Sequence, residues 1–311
     1  MLSQRHLKNK IQAVGNIGQM TRAMELVAAT KMRKAQERAL EGRPYAMHAL
    51  TLLSRMIRSA SSEAAGSLWQ RRAKGKVCFV VVSSDKGLAG SFNGAILKMA
   101  LKYLEERMKN NEIVELVAVG KKAAAFFKKK NANIAAEFTQ FSDVLTLSDA
   151  FPLSQWLLHE YEKGTYKEIN FCSTIFVSAL VQKPHMHPLL PLDSEELEEI
   201  VDAIVPQKGR YAELKIERVS ENESIAYLLE PSPQAILEEL ARDLVEVAVL
   251  HLLLESNASE HSARMLAMKN ASDNAMDLID TLTLDLNKAR QAAITQELTE
   301  ISTAKEAFTY E

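Results

Sequence analysis

Cysteine is nearly absent: Cys78 and Cys172 are the only two in 311 residues. Two thiols cannot form a disulfide framework for a chain of this size, and they leave no paired Cys-x-x-Cys zinc site. A reducing compartment fits that usage. Long apolar runs are also lacking. The greasiest stretch, Leu244 to Leu254, carries Glu246 and His251 and falls well short of the roughly 20 residues of a membrane span. It reads as a buried core helix. Arg5, Lys8 and Lys10 follow Met1 in a helical pattern, so no signal peptide is expected. Neither charge dominates: 38 Lys plus Arg stand against 40 Asp plus Glu, a net charge of −2, which excludes a chain-wide basic footprint for nucleic acid. With 47% apolar and 25% charged residues the chain has the balance of a globular protein, and its length suggests about two domains.

Helix breakers are missing from both ends. Residues 234–311 contain no glycine and no proline, and a continuous helix over them would approach roughly 110 Å at ~1.5 Å per residue. Pro231-Ser232-Pro233 marks its start, with Ser232 as N-cap and Pro233 at the first helical position. Upstream of Pro44 there is no proline, and apolar residues fall at Leu7, Ile11, Val14, Ile17, Met20, Met24, Val27, Ala28, Met32 and Ala35. Steps of three and four predict one apolar stripe on a long helix, interrupted by Gly15 and Gly18. Neither helix can bury such a stripe alone. Residues 1–43 carry a net +6 and residues 234–311 a net −8. Complementary helices at opposite ends predict an antiparallel coiled coil, loosely wound because the heptads are imperfect, with the middle of the chain forming a separate body.

The middle changes period. Lys76–Val82 is a short β-branched run that reads as a buried strand ending in Ser83-Ser84-Asp85. A helix is predicted from Ala95 to about Lys109, a strand over Ile113–Val119, and a further helix from Lys121. A strong strand signal spans Ile169–Val181, with weaker ones at Lys215–Val219 and Ile225–Leu229. This alternation predicts an α/β layer with a mostly parallel sheet between about residues 75 and 230.

Several features invite chemistry, each with a plainer rival. Gly87, Gly90 and Gly94 follow the first strand where nucleotide-binding folds place a phosphate cradle, but neither phosphate-loop spacing is present. A strand-to-helix turn is the better reading. His185 and His187 would share one side of an extended segment, yet no further ligand can be assigned to them, and they read as exposed loop histidines. Lys31, Arg33, Lys34 and Arg38 lack interleaved aromatics for stacking bases and read as a solvated or partner-facing helix face. Lys128-Lys129-Lys130 reads as an exposed helix end, and Met20, Met24, Met32, Met265, Met268 and Met276 as packing residues. No nucleophile with a base, and no general acid pair, assembles from local spacing. A long two-helix rod with an α/β body suits a mechanical or interaction protein better than an enzyme.

Specific blocks then carry a resemblance. Ile11–Asn16 and Thr21–Gln36, Arg43-Pro44-Tyr45-Ala46, Ser84–Gly90 with Asn93, Glu230–Pro233, Ala258–Met265 and Asn287–Ile301 resemble, in order, the gamma subunit of F-type rotary ATP synthases. The resemblance is dense at both ends and thin in the middle. Ile17-Gly18-Gln19 stand where that family usually has a Thr and a Lys, Ala89 replaces a common Cys, and residues 182–210 match poorly. The cysteine-bearing regulatory insertion of chloroplast relatives is absent.

The resemblance implies an α/β fold class: a long antiparallel coiled coil of the N- and C-terminal helices plus a Rossmann-like α/β domain. Its parts would be residues 1–74 (helix and connection), 75–230 (foot) and 231–311 (long helix). It implies a central rotating shaft that couples ion flow to ATP synthesis and hydrolysis and regulates ATPase activity, without catalytic residues or cofactors of its own. The implied partners are three alpha and three beta subunits around one gamma, the epsilon subunit and the membrane rotor c-ring. No nucleic acid and no direct membrane span are expected. Arg290 and Gln291 match residues that hydrogen-bond a beta subunit, Arg264, Thr295 and Glu297 match positions tied to coupling, and Met24 matches a position facing beta. The expected location is the cytoplasmic face of a bacterial inner membrane, as a peripheral protein. The rivals are a coiled-coil scaffold without an ATPase and a stand-alone α/β nucleotide-binding enzyme.

Overall fold

Breaker-poor sequence at both ends becomes helix, and the β-branched middle becomes sheet. The computed structural model describes residues 4–59, 68–142, 145–192 and 232–309. In chain order the elements are α1 (Gln4–Ser59), β1 (Lys76–Val82), α2 (Phe92–Lys109), β2 (Val114–Val119), α3 (Lys121–Lys129), β3 (Ile134–Phe138), α4 (Leu147–Glu162), β4 (Tyr166–Ser178), β5 (Val181–Leu190) and α5 (Pro233–Thr309). At the start of α5, Ser232 Oγ accepts a hydrogen bond from the Ala235 N–H at 3.2 Å, as its N-cap position predicts. The weak strand signals at 215–219 and 225–229 lie outside the described residues. The chain divides into two compact units, residues 1–27 with 265–311 and residues 28–264.

In the first unit the two terminal helices run antiparallel. Gln4 Nε2 donates to the Ala289 carbonyl at 3.5 Å, Gly15 faces Ile279 and Gly18 faces Ala275, so the partner number falls as position rises. Buried and half-buried positions recur at 7, 11, 14, 18 and 21 on α1, and at 268, 272, 275, 279, 282, 286, 289 and 293 on α5. The steps alternate between four and three, the 3.5-residue repeat of a left-handed coiled coil. The expected irregularity is therefore one of residue type and not of spacing. Gly18, Thr21, Ser272 and Ala275 occupy seam positions, and Thr21 Oγ1 folds back onto the carbonyls of Ile17 and Gly18 at 3.1 and 3.0 Å. These small residues let the backbones approach: a Cβ added at Gly18 would lie 3.4 Å from that of Ala275. Ile17, Met20 and Val27, counted above with the stripe, are instead more than half exposed, and so is Met276. They lie beside the seam, one position off its repeat.

The second unit holds a five-stranded sheet in the order β3-β2-β1-β4-β5. The first four strands are parallel and β5 returns antiparallel to β4. β1 is central and buried on both faces, which its unbroken apolar run requires. Cys78, Val80 and Val82 pack under α4 and residues 237–254 of α5. Phe79 and Val81 face α2 and α3. The greasy stretch of α5 is thus a layer of the body's own core, so the body is not built from the middle of the chain alone. β3 and α4 were not legible in the sequence. α4 starts at a capping box in which Thr146 and Asp149 satisfy each other's backbone N–H groups. The strand signal at 169–181 resolves into β4, a turn and the first residue of β5.

Gly120 closes β2 at φ +88°, and a Cβ there would meet the Ser83 carbonyl oxygen at 2.2 Å; Gly164 has φ +81° with open space around it. Gly120→Ala is therefore expected to cost about 4 kcal/mol or more. Gly164→Ala should cost only the left-handed strain of about 1–2 kcal/mol. Urea denaturation of the two variants beside the parent chain checks the contrast.

Candidate functional site

In open α/β sheets, ligands sit outside the carboxyl ends of the strands where the strand order reverses. Here β1 lies between β2 and β4, so that point falls at Ser83–Gly90, the loop singled out by its glycines. The polar side chains of this loop serve the fold. Ser83 Oγ accepts from the Ala123 N–H at 2.7 Å and donates to the Val119 carbonyl at 3.1 Å. Asp85 accepts from the backbone N–H groups of Lys121 and Gln140, both at 2.8 Å. Both side chains thereby satisfy N–H groups at the start of α3, where a carboxylate is also favoured by the helix dipole. Asn93 Oδ1 accepts from the Ser84 N–H at 3.1 Å.

The crevice itself is filled by α5. Arg264 is buried and donates to the Gly87 carbonyl through Nε (3.4 Å) and Nη2 (3.2 Å), and to the Lys86 carbonyl through Nη2 (3.4 Å). The same guanidinium pairs with Glu260 at 2.7 Å and lies 3.2 Å from His261 Nδ1. Burial pushes the Glu260 carboxyl up, against the pull of Arg264, and Asp85 adds repulsion. Ala263 packs on Ala89 and Phe92. Ser259 Oγ donates to the Thr174 carbonyl at 3.2 Å and Ser262 Oγ to the Ala179 carbonyl at 2.7 Å, which stitches the helix to β4 and the turn after it. A phosphate cradle presents backbone N–H groups to its ligand. This loop turns two carbonyls inward, onto the chain's own arginine. The geometry supports the strand-to-helix turn.

The remaining matched residues lie in the first unit. Met24 is half-buried on α1, while Arg290, Gln291, Thr295 and Glu297 are exposed on α5, with Thr295 Oγ1 donating to the Gln291 carbonyl at 3.0 Å. Beside them Leu284, Ile294, Leu298 and Ile301 are exposed, and across the seam Ile17, Met20, Leu26 and Val27 are as well. Residues three and four apart share a helix face, so Gln291, Ile294, Thr295 and Leu298 form one mixed apolar and polar strip. Arg264 belongs to the second unit.

His185 and His187 correct a sequence expectation. They lie on β5 and not in a loop, and His187 is buried. An edge strand tolerates Pro184 and Pro188, which had hidden it. His251, within the stretch read as a core helix, is buried, and so is Glu255 one turn on, which the sequence does not single out. Among the described residues no group of three His, Cys, Asp or Glu could hold a metal ion, and no helix is long and apolar enough to cross a membrane.

Comparison with known proteins bears on these surfaces. The sequence profile of the ATP synthase family matches residues 3–308. The ATP synthase gamma chain of Heliobacterium modesticaldum is 36% identical over 301 residues, covering 97% of each chain. That of Roseiflexus sp. (strain RS-1) is 37% identical over 311 residues, covering 99% of each. Among solved structures, a chain of the Euglena gracilis mitochondrial ATP synthase rotor has a TM-score of 0.58 at 16% identity, covering 94% of this chain and 98% of its own. A chain of the Tetrahymena thermophila mitochondrial ATP synthase central stalk and c-ring has a TM-score of 0.55 at 22% identity, covering 81% and 99%. At those identities the solved structures speak for the fold.

Arg264→Met keeps the bulk and removes the charge, leaving Glu260 and two carbonyls without their partner. A loss of about 3 kcal/mol in urea denaturation is expected. Adding Glu260→Gln should recover part of it, and a double-mutant cycle reads the coupling.

Proposed function

The chain belongs to the ATP synthase gamma chain family, and we propose that it is the non-catalytic central shaft of an F-type ATP synthase. In this reading one copy rises through a ring of three alpha and three beta subunits, and its foot meets the epsilon subunit and the membrane rotor c-ring. Ion flow turns the c-ring and the shaft together, and the asymmetric shaft drives each beta subunit through its nucleotide-binding states. The nucleotide chemistry belongs to the ring. The shaft holds back or permits ATP hydrolysis through the same contacts. The protein would be peripheral, on the cytoplasmic face of a bacterial inner membrane.

One observation carries the reading: the first unit exposes more apolar side chain than two packed helices need. Ile17, Met20, Leu26, Val27, Leu284, Leu298 and Ile301 are each more than half exposed while the seam beneath is regular. Exposed apolar side chains along both helices of the pair fit burial against partner subunits. The energetics agree with a stiff element. A proton crossing 150 mV releases roughly 3.5 kcal/mol, from about 2.3 per 100 mV. Several must be pooled for each ATP, which requires a coupling element that stores torsion instead of dissipating it.

Within this reading Arg290 and Gln291 hydrogen-bond a beta subunit, Met24 faces beta, and Thr295 and Glu297 support that contact along the same helix. Arg264 acts on coupling from inside, by fastening α5 to the loop after β1. Arg290→Ala with Gln291→Ala should lower coupled ATP turnover about tenfold or more while the melting temperature of the isolated chain stays put. Unchanged turnover in the assembled complex would remove these residues from the contact. The reading itself is tested by mixing the purified chain with alpha and beta subunits of the same source. One copy joining a six-subunit ring, with full turnover only in the complex, is the expected result. Failure to assemble would favour the scaffold, and hydrolysis by the chain alone the enzyme.

A further inference from the structure

The second unit is electrically lopsided across its sheet. On one face lie α2 and α3, which together carry eight Lys or Arg and two Glu, a net +6. On the other lie α4 and residues 237–254 of α5, which carry seven Asp or Glu and one Arg, a net −6. The chain as a whole is close to neutral at −2, so this separation is one of placement and not of composition.

α3 concentrates the positive excess. Its amphipathic pattern sends Ala123, Ala124 and Phe127 into the core and leaves Lys121, Lys122, Lys128 and Lys129 exposed, with Lys130 just beyond its end. It has no acidic residue of its own. At its margins Asp85 is occupied by the Lys121 and Gln140 N–H groups, and Glu137 pairs with Lys128 at 2.7 Å. Lys121, Lys122, Lys129 and Lys130 enter no ion pair among the described residues. On α2, Lys98, Lys102 and Lys109 are exposed at steps of four and seven, one side of the helix, and Lys102 reaches Glu106 at 3.7 Å. Like charges held this close repel one another, and a layer of counter-charge removes that cost.

The make-up of the face selects the kind of counter-charge. Its cations are lysines on flexible stems, while the arginine of α2, Arg107, is turned to Glu112 and Glu168. Protein interfaces favour arginine and aromatic anchors and are poor in lysine. On α3 the exposed apolar residue is Ala125, and Phe126 is half-buried. The helix therefore has no anchor for a protein pocket and no wedge for a base step. A plane of mobile phosphate head groups suits it, because each lysine finds a partner without fixed geometry, and a basic face on an amphipathic helix is the usual signature of such a contact. The acidic layer does not oppose this. Layers of secondary structure stack about 10 Å apart, so the far side of the sheet lies beyond the ~8 Å Debye length of physiological salt.

We propose that the α2/α3 face docks the free chain onto an anionic bilayer surface. The contact is electrostatic and superficial: α3 lies along the head groups, and its apolar side stays packed on the sheet. The proposal concerns the chain before assembly and does not depend on the shaft reading. A chain held in this way finds membrane-bound partners by diffusion in two dimensions.

The test mixes the full chain with vesicles of phosphatidylcholine alone, or with about a third phosphatidylglycerol, and reads bound chain by sedimentation at about 0.1 M salt. Binding is expected to the anionic vesicles only, and it should weaken as salt rises. Lys121→Gln with Lys122→Gln, Lys129→Gln and Lys130→Gln should leave the melting temperature in place and lower binding about fivefold for each lysine removed. A control on α1, Arg33→Gln with Lys34→Gln and Arg38→Gln, should bind as the parent chain does. Equal binding to both vesicles, an unchanged α3 variant, or a loss confined to the α1 control would overturn the proposal. So would shielding of the four α3 lysines from acetylation when alpha and beta subunits are added, which would make this face a protein interface.

Discussion

Two helices from opposite ends of the chain must share one apolar seam, because neither can bury its own. That constraint dictates residue choice on both. Close approach of the backbones needs small side chains, so the seam takes Gly18, Thr21, Ser272 and Ala275. Larger apolar residues such as Ile17, Met20 and Leu284 are then left on the outer faces. A pair built this way is held together by a narrow inner contact and leaves apolar side chains on its outer faces. Both properties suit an element that turns inside a ring of partners: the inner contact keeps the helices in register, and the outer one lets them push.

The single long helix α5 meets three different physical demands along its length. Residues 237–254 cover one face of the sheet and supply much of its core. Residues 259–264 carry the polar side chains that bond the loop after β1, the end of β4 and the turn beyond it. Residues 268–293 then follow the 3.5-residue seam. The middle stretch explains how a sheet of nucleotide-binding design serves a mechanical protein. The crevice where such folds receive a phosphate contains Arg264, and the loop answers it with carbonyl groups. At the position where nucleotide-binding folds hold a ligand, this chain has a fastening between the loop and α5.

What was legible in the sequence follows from which interactions are local. The strand Val77–Val82, the Pro-Ser-Pro start of α5 and the breaker-free ends are properties of neighbouring residues and read correctly. The seam is legible at Leu7, Ile11 and Val14 and one step off at Ile17 and Met20, where packing takes Gly18 and Thr21 instead. α4 was missed because Pro152 lies within it, although Thr146 and Asp149 spell out its cap. β5 was missed because Pro184 and Pro188 disguise an edge strand. Arg264 was recognised through a family motif, but its bonds reach residues 86 and 87, and no local pattern announces a contact across that separation.

The most direct test is to lock the seam. With cysteines at positions 18 and 275, the Cβ separation of about 3.4 Å is near the range a disulfide accepts, and native Cys78 and Cys172 are buried away from oxidant. The Gly18→Cys, Ala275→Cys chain would be assembled with alpha and beta subunits, oxidised, and assayed for ATP turnover. If the helices act as one torsional element, the cross-link forms readily and turnover stays within about twofold of the reduced complex. Failure of the cross-link to form, or turnover that collapses on oxidation and returns on reduction, would contradict it.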